Sequence, residues 1–233
     1  VCMTVFGVSP HLHEQLRSIS VQSYKISELV VIEDYSGFPS PKLLLDAFCA
    51  QNNIKFVYRH MEVNVGPANA FRLACLNSTG DIVVFCDHDD IWMPDRVGKA
   101  VDKHQFSELV YCNGLLFRDP SDLTEMNNCP KIYDCAISNG LWSILRKNML
   151  VGATISIDGY LVRSVALKFG FQPMHDWNLS AYCALKSTSI CFIKEPLIMY
   201  RRHSNTFTGI EGTSFFRKLT FRINLLRFLF NVL

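Results

Sequence analysis

The chain alternates short apolar runs with segments whose apolar residues recur every three or four positions. Val1 to Gly7, Leu29 to Ile32, Ile54 to Tyr58 and Ile82 to Cys86 are the runs, and short apolar stretches bounded by polar residues predict strands buried on both faces. Between them, His11 to Ser23 carries Leu12, Leu16 and Ile19 at helical spacing, and Lys42 to Asn52 carries Leu43, Leu44, Ala47 and Phe48. Ala68 to Leu76 reads as a third helix, followed by Gly80, a residue suited to the left-handed helix end. Strand and helix alternate through about residue 105, which predicts an α/β fold: a mostly parallel sheet with helices on both faces.

Beyond that point the pattern loosens. Leu109 to Asn113 and Leu115 to Phe117 read as two strands, Pro120 to Pro130 as a polar loop, and Tyr133 to Met149 as a helix ending near Asn148. Gly152 to Ile157 reads as a strand, Gly159 to Phe169 as a helix, and His175-Asp176-Trp177 as the start of a helix running to Leu185. Ser189 to Ile193 and Leu197 to Arg201 are strands separated by a turn at Glu195-Pro196. With no repeat and no flexible linker, one unit over residues 1–213 with a tail at 214–233 is the simplest division.

The most informative stretch is Val83-Val84-Phe85-Cys86-Asp87-His88-Asp89-Asp90-Ile91-Trp92. An apolar strand delivers three carboxylates just where it leaves the sheet. Negative charge beside apolar surface is costly unless a cation or a set of donors answers it. Oxygen ligands suit Mg²⁺ or Mn²⁺, and Mg²⁺ is commonly held by one or two carboxylates together with substrate phosphates. On spacing alone, an acidic turn or a helix cap at Asp90 or Asp95 explains the stretch equally well.

Composition narrows the classes. Apolar residues make up 49% and charged residues 19%, the balance of a globular chain, and a net charge of +2 makes no electrostatic case for nucleic acid. Nine cysteines without CxxC or zinc-type spacing read as small buried hydrophobes in a reducing, cytosolic setting. Val1 to Phe6 reads directly as a strand, so no signal peptide is expected. No apolar run reaches the roughly 18–20 residues of a spanning helix. The tail, Phe215 to Leu233, holds Arg217, Lys218, Arg222 and Arg227 and no acid. Its apolar residues spread around most of a helix, and such a helix could lie on an anionic membrane surface, pack on the domain or form a dimer contact.

Taken in order, Leu16-Arg17-Ser18-Ile19-Ser20-Val21-Gln22-Ser23-Tyr24, Val31-Ile32-Glu33-Asp34-Tyr35-Ser36, Asn64-Val65-Gly66 and Gly80 to Trp92 resemble the family 2 glycosyltransferases of the GT-A fold. The rhamnosyltransferase-like branch is the nearest in look. Val151-Gly152-Ala153-Thr154, His175-Asp176-Trp177 and Tyr200-Arg201-Arg202-His203-Ser204-Asn205 match further elements of it, whereas His88 stands where that branch typically has Gln. The resemblance runs from about residue 1 to 210. It implies a nucleotide-binding half over 1–110 and an acceptor half over 111–213.

The resemblance also implies roles. Glu33, Asp34 and Asp81 fall where such enzymes meet the nucleobase and ribose, and a carboxylate can accept the imide N–H of uracil or thymine. Asp87 and Asp89 correspond to the Asp-x-Asp motif, Asp89 as the direct ligand of Mg²⁺ or Mn²⁺. Asp176 corresponds to the catalytic base, Arg201 and Arg202 to diphosphate contacts, and His203 to a further diphosphate or metal contact. The implied reaction is inverting transfer from a dTDP- or UDP-linked sugar, rhamnose among the candidates, to a glycan acceptor in surface polysaccharide synthesis. Lipid-linked acceptors are common in such enzymes, which would place the protein in the cytoplasm at the inner face of the plasma membrane. Two rivals remain at this stage. A sugar nucleotidyltransferase should carry a Gly-rich N-terminal loop, which Gly7-Val8-Ser9-Pro10-His11 does not resemble; an inactive glycan- or membrane-binding relative should lack the acids at 87, 89 and 176.

Overall fold

A computed structural model describes residues 1–7, 9–35, 37–118, 128–138, 140–172, 174–202 and 215–233. Eight strands form one sheet: β1 (Cys2–Val5), β2 (Glu28–Glu33), β3 (Lys55–His60), β4 (Ile82–Asp87), β5 (Ile91–Trp92), β6 (Leu109–Phe117), β7 (Ile155–Asp158) and β8 (Ile190–Arg201). Their spatial order is β3-β2-β1-β4-β7-β6-β8-β5. β1 to β4 pair in parallel, as do β6 and β8, while β7 and β5 run against their neighbours.

Among the described residues the α-helices are α1 (Leu12–Ser20), α2 (Lys42–Asn52), α3 (Gly66–Asn77), α4 (Arg96–His104), α5 (Leu141–Arg146), α6 (Gly159–Lys168), α7 (His175–Leu185) and α8 (Phe215–Val232). Side chains alternate across a strand, and β4 shows the consequence. Val83 and Phe85 join a core with Phe71 of α3, Val162 of α6, Leu179 of α7 and Leu229 of α8. Val84 and Cys86 join the opposite core, with Leu12 and Leu16 of α1, Leu45 of α2 and Val97 of α4. The central strands are buried on both faces, which is why their sequences read as unbroken apolar runs.

The second half departs from the expected elements in four places. The two strands expected over 109–117 are one, β6, with register shifts against β8 around Asn113. Gly114 looks like a break, but a Cβ there would press on Ile198, so close strand approach demands the glycine. Asn113 satisfies the bulge: its Oδ1 accepts from Gly114 N (2.9 Å) and Tyr133 N (3.0 Å), and its Nδ2 donates to Tyr133 O (2.8 Å). β8 likewise runs through Glu195-Pro196, where a turn was expected, because Pro196 falls at the irregular part of that ladder. The expected helix over 133–149 shrinks to α5, since Asn113 claims both backbone groups of Tyr133. The strand expected from Gly152 starts at Ile155, after a 3₁₀ turn over Gly152–Thr154. Most of the polar loop expected at 120–130 lies outside the described residues.

Candidate active site

β1, β2 and β4 end together. Thr4 pairs with Ile32 on one side and Asp87 on the other, and Val5 with Glu33, so the acids after β2 and β4 share the carboxyl edge of the sheet. This edge is where ligands bind in open α/β sheets. Two strand spacings, about 10 Å, separate the two groups of acids across it.

At the end of β2 the fold itself answers the charges. Asp34 is 6% exposed; its Oδ1 accepts from Tyr35 N (3.0 Å) and Val65 N (2.8 Å), and its Oδ2 from Gly66 N (2.9 Å). The carboxylate thus joins the end of β2 to the first turn of α3, complementing the positive end of that helix. Glu33 turns the other way. Its Oε2 accepts from Ser40 Oγ (2.6 Å) and the Tyr58 hydroxyl and lies 3.3 Å from His60 Nδ1, which ties it to β3.

At the end of β4 the described residues answer them only in part. Burial, then the charges of Asp89 and Asp176, push the Asp87 carboxyl up to about 7. Asp90 is fully buried and held well above the carboxylate range by burial and by Asp89 and Asp87. Its Oδ1 accepts from Arg201 N (2.9 Å), but its Oδ2 has no hydrogen-bond partner. Among the described residues no ion pair within 4.0 Å reaches Asp87, Asp90 or Asp176.

Asp176 reaches this cluster from the first turn of α7, whose cap position is Met174, so the acid is not the helix cap. Its carboxylate accepts from Trp177 N (2.7 Å), and the nearby Asn148 side chain and Gly152 backbone favour its charged form, yet burial outweighs them and raises it to about 6. The preceding residue, His175, is wedged among Phe71, Phe85 and Phe171, and burial lowers its imidazole to about 3. A Cβ on Gly152 would collide with that ring, so Gly152 lets the start of α7 sit against the 3₁₀ turn. The Tyr200 phenol, at the end of β8, is raised by burial and then by Asp87, Asp90, Asp89 and Asp176 together. One side chain therefore feels all four carboxylates.

Two arginines stand behind the acids. Arg96, 3% exposed, donates from Nη2 to Phe85 O (3.2 Å) and Ala153 O (2.5 Å) and lies over the Trp92 ring at 4.0 Å. Its charge pulls Asp87 and Asp90 down without pairing with either. Arg201, 2% exposed, donates from Nε to Asp89 O (2.8 Å) and from Nη2 to Glu14 and covers the Phe117 ring. The Arg201 guanidinium, expected to meet a diphosphate, is engaged inside the fold, where it shapes the loop that carries Asp89. Arg202 is half-buried and donates its backbone N–H to Phe117 O (2.9 Å). His203 lies outside the described residues.

Asp81, expected near the nucleobase and ribose, lies away from the cluster. It is exposed at the amino end of β4, six residues and so about 20 Å of strand from Asp87. Asn148, Gly152, Arg96 and Tyr200 form part of the arrangement without having been singled out for it from sequence. Only Gly152 and Tyr200 lay within matched motifs.

Among the described residues no three His, Cys, Asp or Glu side chains converge closely enough to hold an ion unaided. The donor set nevertheless fits a hard cation. Asp87 and Asp90 are neighbours whose mutual repulsion a cation would relieve, and such an ion ordinarily completes its shell with water and phosphate oxygens.

Comparisons with known proteins bear on the family and the fold. A model described as glycosyl transferase family 2 matches residues 1–160. An uncharacterized glycosyltransferase of Nostoc sp. is 26% identical over 228 residues, covering 92% of this chain and 68% of the relative. The dTDP-rhamnosyl transferase RfbG of Shigella flexneri is 25% identical over 138 residues, 55% of this chain and 45% of the relative. The crystal structure of Staphylococcus aureus TarS 1–349 in complex with UDP-GlcNAc superposes with a TM-score of 0.66 at 16% identity, over 91% of this chain and 60% of that one. Glucosyl-3-phosphoglycerate synthase from Mycobacterium tuberculosis, crystallised with Mg²⁺ and UDP, gives 0.53 at 17% identity, over 99% and 77%. The chain thus spans about three fifths of the TarS structure, and its sheet and helices have the GT-A arrangement. With the family match covering β1 to the start of α6, and the acids of β4 inside it, the chain belongs to glycosyl transferase family 2.

Proposed function

We propose that this chain is an inverting, metal-dependent glycosyltransferase that moves a sugar from a nucleoside diphosphate donor to a glycan hydroxyl in surface polysaccharide assembly. The observation that supports it most is the delivery of Asp87, Asp89 and Asp90 by β4 to the carboxyl edge of the sheet, near enough to Asp176 for its charge to raise the Asp87 carboxyl. Asp89, with Asp87, is assigned to Mg²⁺ or Mn²⁺, and His203 to the same ion. Bound with the donor diphosphate, the ion would stabilise the negative charge of the leaving group.

Asp176 is assigned the base. A carboxyl raised to about 6 is ionised at neutral pH yet basic enough to accept a proton from a hydroxyl. The acceptor oxygen gives up that proton as it attacks the anomeric carbon, and the bond from that carbon to the donor phosphate oxygen breaks on the opposite face. At the other end of the site, three backbone N–H groups orient the Asp34 carboxylate and leave one lone pair of Oδ2 for the imide N–H of uracil or thymine. Glu33 braces that strand end, and Arg202 is assigned to the diphosphate. The donor is then dTDP- or UDP-linked, with rhamnose as the sugar suggested by the Shigella relative's name.

Calorimetry with UDP, dTDP, GDP and CDP, with and without Mn²⁺, tests the reading. One uracil or thymine nucleotide should bind in a metal-dependent way, and Asp89→Ala should weaken that binding at least tenfold. An unchanged metal response in the mutant removes Asp89 from the site; no nucleotide binding by the folded protein removes the function.

A further inference from the structure

The last helix carries an apolar face that the described residues leave uncovered. α8 buries Leu225, Phe228, Leu229 and Val232 against the domain, beside α7. On its outer side Leu219, Ile223, Leu226, Phe230 and Leu233 are 44%, 42%, 55%, 80% and 84% exposed. They recur at spacings of four and three, which at 100° per residue makes one stripe roughly 80° wide. Arg222 and Arg227, both exposed, flank its centre at roughly 60° on one side and 80° on the other. The neighbouring helix extends this surface: Arg222 Nη2 donates to Arg146 O (3.0 Å) at the end of α5, and Trp142, one turn earlier, is 82% exposed. Arg146 and Lys147 are exposed there as well.

We propose that α8, together with Trp142 of α5, docks in the plane of an anionic lipid bilayer. No helix among the described residues is long and apolar enough to cross a membrane, and a narrow apolar stripe between cations is the pattern of a helix lying at the interface. Trp is favoured at that depth. Charge decides against a second copy of the chain as the occupant. In either orientation of a helix pair, Arg222 and Arg227 would face arginines of the other copy, and residues 215–233 hold no acid to answer them. Anionic headgroups answer both flanks at once.

Docking would also orient the site. Trp177 Nε1 donates to Ile144 O (2.7 Å), fastening α5 to α7, and the segment after α5 brings Asn148 to Asp176. The base would then stand near the lipid surface and the acceptor would be a glycan carried on a lipid, a consequence that rests on the function proposed above; the docking itself does not.

The test is co-sedimentation of the full chain with vesicles of phosphatidylcholine alone and with added phosphatidylglycerol. Binding is expected only to the anionic vesicles, with a blue shift of tryptophan emission that Trp142→Phe removes, since Trp92 and Trp177 are buried. R222Q/R227Q should weaken binding about 30-fold, two charges at roughly 1 kcal/mol each. Leu226→Glu should abolish it while nucleotide binding persists, which separates failure of docking from failure of the donor site. No sedimentation with anionic vesicles, equal sedimentation with neutral ones, or a dimer in sedimentation equilibrium that Leu226→Glu splits would each overturn the proposal, the last by making a second copy the occupant.

Discussion

Two strand ends on one edge of the sheet carry acidic residues, and they differ in what faces them. After β2, Asp34 takes three backbone N–H groups and Glu33 takes Ser40, Tyr58 and His60. After β4, Asp87 and Asp90 stand in mutual repulsion with Asp89, above a buried arginine that pairs with neither. The first arrangement builds structure: it fixes where α3 starts. The second keeps a charge cost that the described residues relieve only in part, and that asymmetry favours a binding site over an acidic turn.

The largest effect that would sharpen this contrast belongs to Asp176. Asp176→Asn keeps size and buried hydrogen bonding but cannot accept the proton, so sugar transfer should fall by about 10²–10⁴ with donor affinity within about twofold. In the wild type, kcat should decline as pH falls below about 6, where the carboxyl protonates, and the variant should lack that limb. A parallel loss of donor affinity would move Asp176 from the base role to donor binding.

Next come two substitutions expected to shift stability in opposite directions. Asp34→Ala strands three backbone donors and should cost about 2 kcal/mol, a drop of about 4–8 °C in melting temperature. Asp87→Asn should stabilise the metal-free protein at about pH 8. The sign follows from linkage: a carboxyl raised from 3.8 to about 7 contributes stability that is complete below the unfolded value and lost as pH rises through the folded one. Removing the charge should recover about 1–2 kcal/mol at pH 8 and almost nothing near pH 4. This is less than the shift alone implies, because Asp89 and Asp176 share the interaction. A stabilised Asp34→Ala or a destabilised Asp87→Asn at pH 8, read by thermal melts, would erase the contrast between the two strand ends.

These differences were only partly legible in the sequence. Strands β1 to β4 and helices α1 to α3 were, because β1, β2 and β4 are short runs buried on both faces and β3 keeps apolar residues at the sheet edge, although α2 buries Leu45 and Cys49 and exposes Leu43 and Ala47 of its expected face. The second half was less so. Asn113-Gly114 and Glu195-Pro196 look like breaks, and nothing local says that a side chain and a close strand approach will carry the ladder through them. The site was legible in part as well. Asp87 and Asp176 are far apart along the chain, so periodicity cannot bring them together; the order of family motifs could. Arg96 belongs to none of the motifs, and only the fold reveals that its guanidinium ends on the carbonyls of Phe85 and Ala153. Nor does composition distinguish the acids at 33 and 34 from those at 87 and 90: Asp34 is met by backbone N–H groups about 30 residues away and Glu33 by the side chains of Ser40 and Tyr58, whereas Asp90 receives one backbone N–H, from Arg201, on one oxygen.

The smallest expected effect tests the same distinction from the other direction. Asp81 stands six residues before Asp87 on the same strand, and along the chain it looks like another member of the acidic site. Strand geometry separates them by about 20 Å, a distance at which water and salt screen nearly all coupling between an exposed charge and the cluster. What holds Asp81 in the fold is its backbone: its carbonyl accepts from Gly159 N (2.7 Å), a bond that any side chain at this position keeps. Asp81→Asn should therefore leave nucleotide affinity within about twofold and stability within about 0.5 kcal/mol. A loss of nucleotide binding comparable to that of Asp89→Ala would mean that the donor reaches both ends of β4, and the division of the sheet into a binding edge and a supporting edge would have to be abandoned.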